Sequence, residues 1–401
     1  MVCETRHKGA CPTRTVLLLT SAFLLTGLVF GVPAPGISQE RFPVLSPVNP
    51  AFLEQSPGLK SERVYQRLTA EGHRLGWKAS PLDLSHLKEL SEDQAIFQRR
   101  QPLGLPVSYD LRSQEKLTPV KDQGSCGSCW AFASYGSLES NLLPAETHDL
   151  SENHLKNTHG FDWDYCDGGN AYISAAYLAR WSGPVDEDDD PYDAFSGDSP
   201  PGLSPTKHIQ EILIIPDRSN SSDNTKIKEA VMSYGAVYTS MTMYDSPYYY
   251  NIETHAYYFD GWEYSNHAVA IVGWDDNYSN ANFVTPPAGN GAFIVRNSWG
   301  TDFGEGGYFY ISYYDSNIGT ENFVFRGAES TTNYSRIYQY DPLGWVYSVG
   351  YGSTTAWFAN VFTAMADEQL SAVSFYTASL NSSFKLYVYK NATSGPTSGS
   401  L

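Results

Sequence analysis

The sequence predicts an α+β protein, a large domain with helices in front and strands behind, followed by a smaller all-β module. Three observations carry that expectation. Cys129–Leu143 places apolar residues at Trp130, Ala133, Leu138 and Leu142, the pattern of a buried helix. Ala268–Trp274, Ala292–Arg296 and Gly307–Ser312 are short β-branched or aromatic runs bounded by Gly and Asn, which read as strands. From Thr331 the character changes: Tyr338, Tyr340, Trp345, Tyr351, Trp357 and Phe358 alternate with small and polar residues, and Leu386–Tyr389 is a further strand. Helices and strands segregated within one domain indicate α+β architecture with a cleft between the halves.

Taken in order, residues 1–36 carry Arg6, Lys8 and Arg14 ahead of an apolar run from Val16 to Val32, with small residues before Pro35. That is the layout of a secretory signal, removed or kept as an anchor. Residues 37–104 form a leader interrupted by Pro43, Pro47, Pro50, Pro57 and Pro81, with two short amphipathic pieces, Ser61–Leu75 and Leu82–Leu90. The leader is too poor in core residues to fold alone. Residues 105–326 have the size and alternation of one domain. Residues 331–401 form the β module, short of the about 100 residues that a full sandwich needs.

Composition excludes several classes of function. Hydrophobic residues at 41% and aromatics at 14% supply real cores, so the chain is not disordered. Asp+Glu 44 against Lys+Arg 26 gives a net charge of -18, which disfavours nucleic acid and anionic membranes as partners. Of five cysteines, Cys3 and Cys11 lie in the first segment; export leaves Cys126, Cys129 and Cys166. An odd count outside the cell implies one disulfide and one free thiol that needs a reason. Sequons at Asn220, Asn277, Asn333, Asn381 and Asn391 are compatible with a secreted or cell-surface location.

The reason for the free thiol lies in Pro119-Val-Lys-Asp-Gln-Gly-Ser-Cys-Gly-Ser-Cys-Trp-Ala-Phe132. Its Cys126-Gly-Ser-Cys129-Trp130 core resembles the nucleophile signature of the papain/cathepsin family of cysteine proteases. Leu105–Arg112 resembles the mature start of that family, Leu150–Leu155 its second helix start, and Tyr165-Cys-Asp-Gly168-Gly169 its glycine-rich substrate wall. Asn266-His267 with the following strand, and Asn297-Ser-Trp299-Gly300, resemble its histidine and asparagine blocks. The resemblance implies a two-lobed papain-like fold and hydrolysis of protein or peptide substrates. It also implies roles: Cys129, His267, Asn297 and Gln123 catalytic, Gly168, Gly169, Asn266 and Trp299 substrate-binding, and Cys126–Cys166 a disulfide. A second family disulfide is absent, since Thr158 stands where its cysteine is expected.

The residue types suit that chemistry. Cys129 opens a helix, where unpaired N–H groups and the macrodipole favour a thiolate. His267 would complete a thiolate–imidazolium pair and protonate the leaving amine. Asn297 would fix the imidazole tautomer, and Gln123 would aim an N–H at the developing oxyanion. His267 lies 138 residues after Cys129, inside the family window of about 130–150, and the Asn/Pro-rich insertion Asp275–Gly291 accounts for the longer reach to Asn297. No cofactor or metal is expected. Asp186–Asp190 lacks the spaced ligands of a calcium loop and reads as solvated, and His148, His154 and His159 read as helix or loop surface. The alternative is a cell-surface carbohydrate- or protein-binding protein with an inactive protease-like domain.

The leader lacks the long helical motif of many papain propeptides and is similar to the short leaders of microbial relatives that carry a lectin-like module. Tyr338–Trp345 and Thr355–Asn360 resemble that module, which implies a glycan partner. Leu82–Leu90 is expected to dock on the enzyme and Ile96–Leu105 to run through the cleft over Cys129, with maturation between Arg99 and Leu105.

Overall fold

The computed structural model describes residues 2–6, 14–20, 44–55, 69, 72–86, 104–353, 355–377 and 382–401. Helix Cys129–Leu142 buries every residue except Asn141, because strands cover one side of it and two further helices the other. Those helices are set by their caps. Ser151 Oγ accepts from His154 N at 2.9 Å to start Glu152–Thr158, and Asn170 Oδ1 accepts from Tyr172 N and Ile173 N at 3.1 and 3.2 Å to start Ala171–Ala179. Trp130, Tyr135, Leu138, Leu155, Tyr177 and Leu178 form the helical core.

Among the described residues nine strands make the main sheet. In spatial order they are Lys207–Ile215, Thr320–Ser330, Val237–Met241, His267–Asp275, Ala292–Arg296, Tyr308–Ser312, Ala256–Tyr257 and Tyr250–Asn251, with Ser108–Asp110 on His267–Asp275. Pairing is antiparallel except between Tyr308–Ser312 and Ala256–Tyr257. His267–Asp275 is paired on both edges and buried along all but its last residue, which explains its nearly continuous apolar run. Val269, Ile271, Trp274, Phe293, Val295 and Phe309 make the second core.

The chain divides into two compact units. One is Asn49–Thr331 with Pro342–Gly344, so leader residues 49–55 and 72–86 pack with the larger domain. The other comprises the described parts of Met1–Val48, Thr332–Asp341 and Trp345–Leu401. It contains two three-stranded sheets, Arg336–Gln339 with Val2–Arg6 and Gln369–Ser374, and Trp357–Thr363 with Arg14–Thr20 and Lys385–Lys390. Two parts of the segment 1–36 are therefore strands here, and the rest of it lies outside the described residues. No helix among the described residues is long and apolar enough to cross a membrane.

Three surface expectations are corrected. His154 and His159 are buried, one hydrogen-bonded to Tyr177 Oη at 2.6 Å and the other edge-on to Trp130, so they fill the helical core. Asp190 is buried and accepts from Asn153 Nδ2 at 2.8 Å, because its loop folds onto helix Glu152–Thr158. The leader piece Ser61–Leu75 ends as extended chain at residues 72–75.

Candidate active site

The loop before helix Cys129–Leu142 is fixed from three directions. The Cys126–Cys166 disulfide spans 4.9 Å between Cα atoms and ties it to the glycine wall. At Gly127 a Cβ would lie 2.6 Å from the Cys166 carbonyl oxygen, so only glycine lets the two strands of chain approach. The Tyr192 hydroxyl stands 2.6 Å from Ser128 Oγ and donates to the Gln123 carbonyl at 2.8 Å, bracing both ends of the loop. Cys129, the free cysteine among the described residues, is then fully buried at the helix start, and its Sγ accepts from Ala268 N at 3.4 Å.

That amide belongs to the residue after His267, so the strand His267–Asp275 delivers the imidazole to the sulfur. His267 Nε2 is 2.8 Å from Asn297 Oδ1, which also accepts from Ser298 N at 2.9 Å. Because the backbone N–H can only donate, it fixes which end of the Asn297 amide is oxygen. Nε2 must then carry the hydrogen, leaving Nδ1 as a lone pair. Nδ1 is buried and has no other hydrogen-bond partner among the described residues. Trp299 tilts over the imidazole at 4.9 Å between ring centres. Gln123 is oriented by a carbonyl that can only accept: its Nε2 donates to the Cys126 carbonyl at 2.7 Å, so Oε1 is the atom that accepts from Ser298 Oγ at 2.7 Å.

The cleft is occupied by leader residues 73–80. His73 stacks on Trp299 at 5.2 Å, and the Arg74 carbonyl accepts from Gln123 Nε2 at 2.8 Å. Gly76 N reaches the Cys129 sulfur. Gly169 N donates to the Gly76 carbonyl at 2.8 Å, Lys78 N to the Gly169 carbonyl at 2.9 Å, and Trp77 N to the Asn266 carbonyl at 3.0 Å. Asn170 Nδ2 also donates to the Lys78 carbonyl, at 3.1 Å. The pairing of Trp77 with Gly169 is parallel. Residue 76 must be glycine, since a Cβ would sit 2.0 Å from the Gly127 carbonyl oxygen. The expected path is thereby corrected: the segment that crosses the cleft among the described residues is 73–80, upstream of Leu82, with Gly76 supplying the close approach at the sulfur. Of Ile96–Leu105, residues 96–103 lie outside the described residues.

The electrostatics follow from that cover. Burial pushes the Cys129 thiol up to about 11, against the pull of N–H donors from Ala268 and Gly76. Burial also pushes His267 down to about 4, opposed by its bond to Asn297. Burial under the leader therefore works against the charged thiolate–imidazolium pair, since two charges without water cost more than a neutral thiol and imidazole.

The structure brings Cys129, His267, Asn297 and Gln123 together, with Gly168, Gly169, Asn266 and Trp299 around them. The Asn266 side chain turns away and pairs with Met243, so its carbonyl alone faces the cleft. Sequence reasoning missed Ser298, Tyr192 and the leader contacts. Ser298 had a signal, its place beside Asn297; Arg74 and Gly76 act through backbone atoms and had none.

A family model described as papain family cysteine protease matches residues 105–327, and one described as lectin-like domain matches 337–401. The chain is 31% identical over 233 residues to a viral cathepsin of Heliothis zea nuclear polyhedrosis virus, covering 57% of this chain and 58% of that one. It is 32% identical over 232 residues to falcipain-2a of Plasmodium falciparum, covering 54% and 45%. The solved cysteine protease and lectin-like domains of Cwp84, a surface layer associated protein of Clostridium difficile, match with TM-score 0.57 and 29% identity over 72% of this chain and 62% of that one. The chain thus spans roughly three fifths of the length of the viral cathepsin and of the Cwp84 chain.

Proposed function

The chain belongs to the papain family of cysteine proteases, and from that premise we propose that it is an exported cysteine endopeptidase made as a zymogen. The observation that carries the reading is the Ser298–Asn297–His267 chain of hydrogen bonds, which leaves an imidazole lone pair on the side away from Asn297. With the leader gone, Nδ1 takes the Cys129 proton and the thiolate attacks the substrate carbonyl. Gln123 Nε2, released from the Arg74 carbonyl, and the Cys129 backbone N–H hold the oxyanion. The imidazolium then protonates the departing amine, and a water activated by His267 hydrolyses the thioester. Gly168 and Gly169 present backbone to the substrate, Asn266 its carbonyl, and Trp299 shields the His267–Asn297 bond.

The leader assigned to 37–104 acts as the inhibitor, with 105–326 as the peptidase domain. The parallel run of residues 76–78 on Gly169 is the reverse of the substrate direction implied by the family resemblance, so the peptide bonds on Cys129 are presented backwards. The basic-then-apolar start supports export, and the lectin-like domain supports glycan binding by 331–401. The test is peptide hydrolysis with mass analysis of the products, comparing processed wild type with Cys129→Ala. Amide products from wild type alone support a peptidase; transfer to an added amine instead of water would make it a transferase, and no turnover would favour the binding-protein alternative.

A further inference from the structure

Ser128 stands at the N-cap of helix Cys129–Leu142, where a serine ordinarily turns its oxygen onto the first free N–H groups of the helix, yet it makes no capping bond. Its hydroxyl is engaged elsewhere, 2.6 Å from the hydroxyl of Tyr192. The direction of that bond is fixed. Tyr192 Oη donates to the Gln123 carbonyl at 2.8 Å, which commits the single phenol hydrogen, so Ser128 Oγ must be the donor to Tyr192. One phenol oxygen thereby joins residue 123 to residue 128.

Those two residues govern the two donors of the proposed oxyanion hole. Gln123 bears one on its side chain. Ser128 supplies the carbonyl half of the peptide whose N–H belongs to Cys129, so its ψ of 11° sets where that N–H points. Tyr192 is itself held by contacts that do not use its hydroxyl. Its backbone N donates to Glu187 Oε1 at 2.7 Å, its ring meets Phe132 of the nucleophile helix edge-on at 4.8 Å, and the ammonium of the buried Lys156 lies 5.6 Å from the ring centre. Burial holds the phenol above its ordinary range, so it stays a donor at neutral pH. The other donor to the Gln123 carbonyl among the described residues is Cys126 N, at a longer 3.4 Å.

We propose that Tyr192 is a positioning residue of the reaction: its hydroxyl, bonded to Gln123 on one side and to Ser128 on the other, sets the spacing of the two oxyanion donors. This role rests on the peptidase reading and adds to it a residue 63 positions beyond the nucleophile. The bridge also accounts for the missing cap. A serine oxygen accepting from the first turn would occupy N–H groups that the helix start otherwise leaves open to negative charge. Donors act on an oxyanion only when they are aimed at the place where it forms, so a hole whose two sides drift apart loses part of its effect without losing a donor.

Two arms test this in processed enzyme. Tyr192→Phe keeps the ring contacts and loses the bridge, so kcat for peptide hydrolysis should fall roughly tenfold, short of the about 10²–10³ that follows loss of a whole donor, with KM within about twofold of wild type. Ser128→Ala breaks the other link and should fall by the same factor, and the double variant should be no slower than either alone, because one bridge is lost once. Factors that multiply in the double variant, or a wild-type kcat in Tyr192→Phe, overturn the proposal. The second arm needs no hydrolysis. A peptide nitrile adds reversibly to Cys129: the sulfur–carbon bond forms, one carbon–nitrogen π bond opens, and the thiol proton passes through His267 to the nitrogen, which takes the oxyanion's place. Its affinity should fall roughly tenfold in Tyr192→Phe, while alkylation by iodoacetamide, which puts nothing in that place, keeps its wild-type rate. Unchanged nitrile affinity, or an equal loss in alkylation, overturns the positioning role. Nitrile addition to wild type with no peptide cleavage would instead overturn the peptidase reading, and the nitrile affinities of the variants would still decide on the bridge.

Discussion

The Ser298 amide that pins Asn297 makes the proton inventory of the site explicit. Cys129→Ala should abolish hydrolysis while circular dichroism and thermal midpoint stay close to wild type, since the sulfur makes only weak hydrogen bonds, all from backbone N–H groups. Gln123→Ala should lower kcat by about 10²–10³, the usual effect of losing one oxyanion donor, and Gln123→Glu should not restore it because a carboxylate cannot donate. The thiol supplies a pH prediction. A thiol held near 11 is neutral at pH 7, and its thiolate fraction grows tenfold per unit as pH rises toward that value. Alkylation of the full-length chain should therefore keep accelerating up to about pH 11, whereas processed enzyme should already be on a plateau near neutrality. Thiolate absorbance in the full-length chain at pH 7 would contradict this.

At the scale of elements, the proposed zymogen control would rest on the leader residues in the cleft and on the loop before Cys129. Gly76→Ala puts a methyl into the Gly127 carbonyl, so the strand must lift off the sulfur. Thiol labelling of full-length Gly76→Ala should approach that of processed enzyme, although no catalytic residue has changed; a rate equal to wild type would show that the leader does not guard Cys129. Reduction acts in both directions. Mild thiol should restore oxidised Cys129, but opening Cys126–Cys166 frees a loop of 40 residues and should cost about 2–4 kcal/mol, seen as a lower thermal midpoint. These elements were unequally legible. Helix Cys129–Leu142 and strands His267–Asp275 and Ala292–Arg296 follow their sequence patterns closely because burial imposes those patterns. The crossing of the cleft is not legible because its contacts with Cys129, Gln123 and Gly169 run through backbone atoms, and its apolar side chains Leu75 and Trp77 pack into cores assembled from distant segments.

Across the whole molecule, a buried ionic cluster joins the nucleophile loop to two helices. Lys121 Nζ lies 3.0 Å from Glu152 Oε1, 3.5 Å from Glu139 Oε1 and 2.6 Å from Asp149 Oδ1, and Leu150 N donates to Glu139 Oε1 at 3.0 Å. Glu139 and Glu152 are almost fully buried, so Lys121→Met would strand two carboxylates without a counter-charge. We expect a loss of about 3–5 kcal/mol, measured by denaturant unfolding; a change below about 1 kcal/mol would mean that water already solvates the cluster.

The sequence by itself determined the α+β class, the nucleophile loop and the histidine and asparagine blocks, because each is written in contiguous residues whose types are dictated by local chemistry, whereas the Cys126–Cys166 pairing followed only from the family resemblance. Only the tertiary structure decided the burial of Cys129 and His267, the burial of His154, His159 and Asp190, and the route of leader residues 73–80. Those depend on which surfaces lose water when segments tens to hundreds of residues apart come together, and burial of that kind leaves no local pattern to read.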